Sequence, residues 1–163
     1  MHEQPDKWPD AVHESAHAAA ASCFGWPIRE LSIQAVKASE ADRVGVCQLG
    51  IEAIPGETHE DVMRLIIYSA CGPAAEFLLD IETSPAALAG DYDRIRDSAN
   101  QAFPDDRRAQ QLMMKRGEEA AFEIVREHRS GIEALAAALM RLGRVEGSTA
   151  ERFIRGGSKV LRA

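Results

Sequence analysis

A chain of 163 residues, 45% hydrophobic and 28% charged, has room for one sizeable core, falls in the single-domain range and lacks the composition of a disordered protein. Its net charge of −7 is uneven: residues 1 to 106 carry 7 Lys and Arg against 19 Asp and Glu, while residues 107 to 163 carry 12 against 7, so the two parts stand at −12 and +5. The acidic first part argues against a nucleic-acid partner, and the basic residues of the second part alternate with Glu at helical spacing, as on solvated helix faces. Cys23, Cys47 and Cys71 are odd in number and form no C-x-x-C pair, which speaks for a reducing compartment and small buried thiols rather than a disulfide or thiolate framework. With no apolar run of about 18 residues and no secretory leader, a soluble cytoplasmic protein is expected.

In chain order, Asp6 or Asp10 can cap a helix running through His13 and His17 to about Cys23, and Gly25 with Pro27 ends it. Leu31, Ile33 and Ala35 alternate with Ser32 and Gln34, which predicts a strand from Ile28 to Val36. Val44 to Leu49 is its expected partner, with Lys37 to Arg43 as an exposed connection. Apolar and small residues three and four apart predict a buried helix from Glu60 to Leu79, kinked or restarted at Gly72-Pro73. A loop over Thr83 to Gly90 then leads to a helix from Asp91 to Phe103, with Tyr92, Ile95, Ala99 and Phe103 on its buried face. Two helices, Arg107 to Glu127 and Gly131 to Leu142, and a short one from Ser148 to Ile154 complete the chain. The expected fold class is α+β and mostly helical, with a small sheet or hairpin confined to the first third.

The segment His13-Glu14-Ser15-Ala16-His17 is an H-E-x-x-H motif. On a helix, residues i and i+4 share one face, so both imidazoles can reach one metal ion, and a carboxylate beside the first ligand lies near a water activated there. Catalytic zinc takes three protein ligands and keeps a fourth position for water. The third ligand is open among His59, His128, Glu76, Glu82, Asp91, Asp93 and Asp97. The small residues Ala18 to Ala21 permit close packing of the motif helix, and the strand pair that follows suits a zincin-type cleft where an extended peptide adds to a sheet edge.

Four segments in order resemble the peptidase domain of FtsH, the bacterial membrane-anchored, ATP-dependent protease. They are Ala11-Val12-His13-Glu14-Ser15-Ala16-His17-Ala18, then Cys71-Gly72-Pro73-Ala74-Ala75-Glu76, then Gly90-Asp91-Tyr92-Asp93-Arg94-Ile95, and finally His128-Arg129 with Ile132, Leu135, Ala136 and Leu139. The resemblance covers Pro9 to about Ile154 and implies one stand-alone peptidase domain over residues 1–163. It departs from the family in Pro73, where Arg is usual, and in Ser15-Ala16 between the motif's Glu and second His. No P-loop and no membrane helix accompany it, so the family's ATPase and anchor have no counterpart.

The resemblance implies one zinc ion per chain on His13, His17 and Asp91, with Glu14 as the catalytic base. Helical position favours Asp91 over Asp93 too, since Asp91 adjoins the expected buried face and Asp93 points to solvent with Arg96 and Asn100. Glu76 is open between orienting a zinc-bound His and making an ordinary ion pair. The expected activity is ATP-independent endoproteolysis of flexible or unfolded polypeptide. The alternatives are a silent metal-containing peptide-binding module and a subunit docking on a separate ATPase. Self-association is left open.

Overall fold

The computed structural model describes residues 7–34, 45–82 and 85–160. The connection expected at Lys37 to Arg43, the far end of the first strand and the candidate cap Asp6 lie outside them. Helix α1 (Trp8–Phe24) opens with Pro9 in its first turn, where a missing N–H costs no hydrogen bond. Asp10, a candidate cap, lies in that first turn, and Lys7 occupies the cap position without a side-chain bond. The helix stops at Gly25, whose φ of 68° is the left-handed conformation that lets its N–H return to the carbonyls of Ala21 and Ser22.

Strands β1 (Ile28–Ser32) and β2 (Val46–Leu49) pair antiparallel as expected, with Leu31 opposite Cys47, but β1 stops at Ser32, short of the Ile33 and Gln34 expected in it. A third strand, β3 (Arg144–Glu146), pairs with the other side of β1, placing Val145 opposite Leu31. The order is β2-β1-β3, so the sheet is not confined to the first third. A three-residue strand carries no readable period, and only its contact with β1 defines it.

Helix α2 (His59–Leu78) starts in a capping box between Thr58 and Asp61 and continues unbroken through Gly72 and Pro73, with no restart. Helix α3 (Pro85–Ala102) replaces most of the loop expected at Thr83 to Gly90. Pro85 is tolerated at a first helical position, and Ala86 to Ala89 are strong helix formers. Helix α4 (Arg107–Leu142) is one helix of 36 residues, about 54 Å long, where two were expected. Gly131, expected to open a second helix, lies inside α4: a Cβ there would lie 2.8 Å from Ile154 Cα, so glycine lets α5 (Gly147–Val160) approach.

α1 packs against both α2 and α4, with β1, β2 and α5 also in contact. Its buried residues, Ala11, Val12, Ser15, Ala16 and Ala18 to Ala21 among them, extend around most of the helix, so it is the central element. The small side chains permit that close approach. Among the described residues, Leu31, Ile66, Val125, Ile132, Leu135, Leu139 and Ile154 fill the core around it. The architecture is mostly helical α+β with a small antiparallel sheet, and no described helix is long and apolar enough to cross a membrane.

Candidate metal centre

The helical spacing of four places His13 and His17 on one face of α1, and both are buried. That face meets α2 at Gly72, where a Cβ would lie 2.4 to 2.7 Å from three atoms of the His13 ring. Glycine is what gives the imidazole its place. Around it, α2 fixes both rings through their Nδ1 atoms: His13 Nδ1 is 2.5 Å from Glu76 Oε1, and His17 Nδ1 is 2.8 Å from the carbonyl oxygen of Tyr68. The Tyr68 ring stacks on His17 at 4.8 Å.

From α3, Asp91 completes the group. Its Oδ2 lies 2.9 Å from His13 Nε2 and 3.5 Å from His17 Nε2, and the two Nε2 atoms are 2.9 Å apart. Arg94 Nη1, 3.2 Å from Oδ1, donates to the other carboxylate oxygen. Asp91 is buried whereas Asp93 is exposed and paired with Arg96. The buried face of α3 is Asp91, Ile95, Ser98 and Ala99, while Tyr92, expected on it, is exposed.

The donor set decides what the group can hold. A carbonyl only accepts, so His17 must donate from Nδ1, and a neutral ring then presents a lone pair at Nε2. His13 does likewise when it donates to the Glu76 carboxylate. With both rings neutral, three electron-pair donors, two nitrogens and one carboxylate oxygen, converge with no hydrogen among them, an arrangement that a metal cation, or a proton on His13 in its place, satisfies. The group could bind a metal ion, all its ligand atoms lying within 4.8 Å of one another. An ion held tetrahedrally at about 2.1 Å sets its ligands about 3.4 Å apart, so the two 2.9 Å spacings would have to widen while the 3.5 Å one already fits.

In the metal-free protein a proton on His13 takes the cation's place. Burial would lower the His13 pKa, but hydrogen bonds with Asp91 and Glu76 and the charge of Glu14 raise it to about 10. Burial would raise the Asp91 pKa, yet His13 and His17 hold it well below the usual carboxylate range. Glu14 borders the group, pushed up by burial, pulled back by His17 and His13, and within hydrogen-bonding reach of the Cys47 backbone N–H on β2. Gly45 makes room for this carboxylate, since a Cβ there would lie 2.8 Å from Glu14 Cγ.

The structure therefore brings His13, His17, Asp91 and Glu14 together, and adds Glu76. Glu82, Asp97 and His59 are exposed, and His128 faces Cys23 Sγ at 3.3 Å instead. Cys71 alone of the three thiols is fully buried; Cys47 is half-buried and Cys23 exposed. Sequence reasoning missed Tyr68, Gly72 and Gly45. Any residue can offer the Tyr68 carbonyl, so no sequence signal marks it, whereas Gly72 lies in a helix that glycine disfavours and is legible as a close approach. No family model matches the chain, and no curated protein matches it.

Proposed function

We propose that the protein is a zinc-dependent endopeptidase that hydrolyses peptide bonds in flexible or unfolded polypeptides. The observation that carries this reading is the convergence of His13 Nε2, His17 Nε2 and Asp91 Oδ2 beside the carboxylate of Glu14. Two imidazoles and a carboxylate in an H-E-x-x-H frame are a catalytic-zinc donor set, and the ordered resemblance to the FtsH-type peptidase supports the same choice. Bound there, zinc would supply Lewis acidity and bring the pKa of a water towards about 7.

The protein's own groups do the rest. Glu76 and the Tyr68 carbonyl keep the two imidazoles in the tautomer that points Nε2 inward. Glu14, its proton affinity raised by burial, takes a proton from the attacking water and returns it to the leaving amine. Strand β2 pairs on one side with β1, and its other edge is next to Glu14, so an extended peptide added to that edge brings a carbonyl to the carboxylate. Folded substrates lack such an extended segment, and the sequence holds no P-loop for unfolding them.

Glu14→Gln tests the assignment. Zinc stoichiometry should stay at the parent level, while cleavage of casein falls by a factor of about 100 or more. Loss of metal with retained cleavage would overturn it. Zinc without cleavage in the parent protein would assign a binding module instead.

A further inference from the structure

A pocket of about 190 Å³ opens between α2, α3 and α4, apart from the three converging ligand atoms. Phe77, Tyr92 and Phe122 line it together with the carboxylate of Glu118, above a floor that includes Pro73 and Ile95. Phe77 is 77% exposed and Tyr92 49% exposed, although large aromatic rings bury well wherever a core will take them. No Lys or Arg lines the pocket, and Glu118 forms no ion pair among the described residues. The volume matches about six waters, enough for one long side chain and too little for a folded element.

We propose that this pocket binds one cationic side chain, Lys or Arg, of an extended polypeptide. Aromatic faces attract a cation through their quadrupole, and a carboxylate beside them pairs with its head group while the rings cover its aliphatic stem. One ring already behaves so: the guanidinium of Arg126 lies 5.8 Å from the Phe122 centroid, held outside the pocket by Glu123 at 2.5 Å. Phe77 and Phe122 meet edge to face at 5.7 Å, and the exposure of Phe77 leaves its ring open to a guest. Pro73 and Tyr92 each adjoin a residue of the metal centre, Gly72 and Asp91, so both sites are built on the same two helices. The cation chemistry stands on the pocket alone; that the side chain belongs to a polypeptide rests on the peptidase reading.

Fluorescence anisotropy of labelled, unstructured peptides on the Glu14→Gln protein tests this without turnover, and casein cleavage by the parent tests the peptidase reading separately. Peptides carrying Lys or Arg at one position should bind about 10-fold more tightly than the norleucine peptide, with Glu at that position weakest. Glu118→Gln and Phe77→Ala, both at exposed positions, should each cut that preference to about 2-fold, and Glu118→Gln should leave the norleucine peptide unaffected. Norleucine binding as tightly as Lys would overturn the proposal, as would a preference that survives both variants. So would n-butylammonium binding as well as the Lys peptide, or self-association in sedimentation that Phe77→Ala abolishes.

Discussion

Gly72→Ala isolates the metal centre from the fold. The added Cβ would sit 2.4 Å from His13 Cε1, 2.5 Å from Nε2 and 2.7 Å from Nδ1, where carbon needs about 3.5 Å. The ring must retreat by about 1 Å, but its Nδ1 is tied to Glu76 at 2.5 Å and α1 is packed on all sides. Metal ligands tolerate displacements of only about 0.2 Å, so zinc affinity should fall by about 100-fold or more. The fold should suffer much less: alanine improves helix propensity by about 1 kcal/mol, against an overpacking cost of about 1 to 3 kcal/mol. Competition with a chromophoric chelator measures the affinity, and thermal unfolding with and without zinc gives a second reading. A 100-fold loss of affinity removes about 2.7 kcal/mol of metal-dependent stabilisation at fixed excess zinc. Gly56→Ala, with nothing nearer than 4.0 Å, is the control. Affinity within about 3-fold of the parent would refute the reasoning.

Asp91→Asn should lower zinc affinity by at least about 10-fold, whereas Asp93→Asn removes only an exposed pair with Arg96; equal losses in the two variants would show that Asp91 is not a ligand. Ser69 is buried and its Oγ has no hydrogen-bond partner among the described residues, so Ser69→Ala should be neutral or stabilise by up to about 1 kcal/mol in urea unfolding, and a clear destabilisation would reveal an unseen partner. The His13 pKa is raised in the folded protein, so in the metal-free protein its stabilisation is fully present below about pH 6.5 and is lost as pH rises through about 10. The depressed Asp91 pKa acts oppositely, contributing above about pH 3.8 and losing its effect as pH falls further. A metal must displace the His13 proton, so affinity should climb from pH 6.5 to 10 with proton release in calorimetry, and flat affinity over that span would contradict this.

Much of the centre was legible in the sequence because its chemistry is local. A spacing of four on a helix puts His13 and His17 on one face whatever surrounds them, and Glu14 comes with them. The helix through Asp91 was readable as well, although the choice of Asp91 leaned on the resemblance and on a buried face that the structure draws differently, with Tyr92 outside it. Periodicity also marked α2 and the β1–β2 pair. What the sequence could not determine depends on neighbours distant in the chain. Gly131 reads as the start of a separate helix until α4 is seen to run through it with α5 against it, and Arg144–Glu146 reads as nothing until β1 lies alongside. Glu76 had two equal readings by composition, and the 63 residues separating it from His13 are closed by the packing of α2 on α1. The tertiary structure alone decided that contact, because an orienting hydrogen bond depends on where two helices cross and not on any pattern within either one.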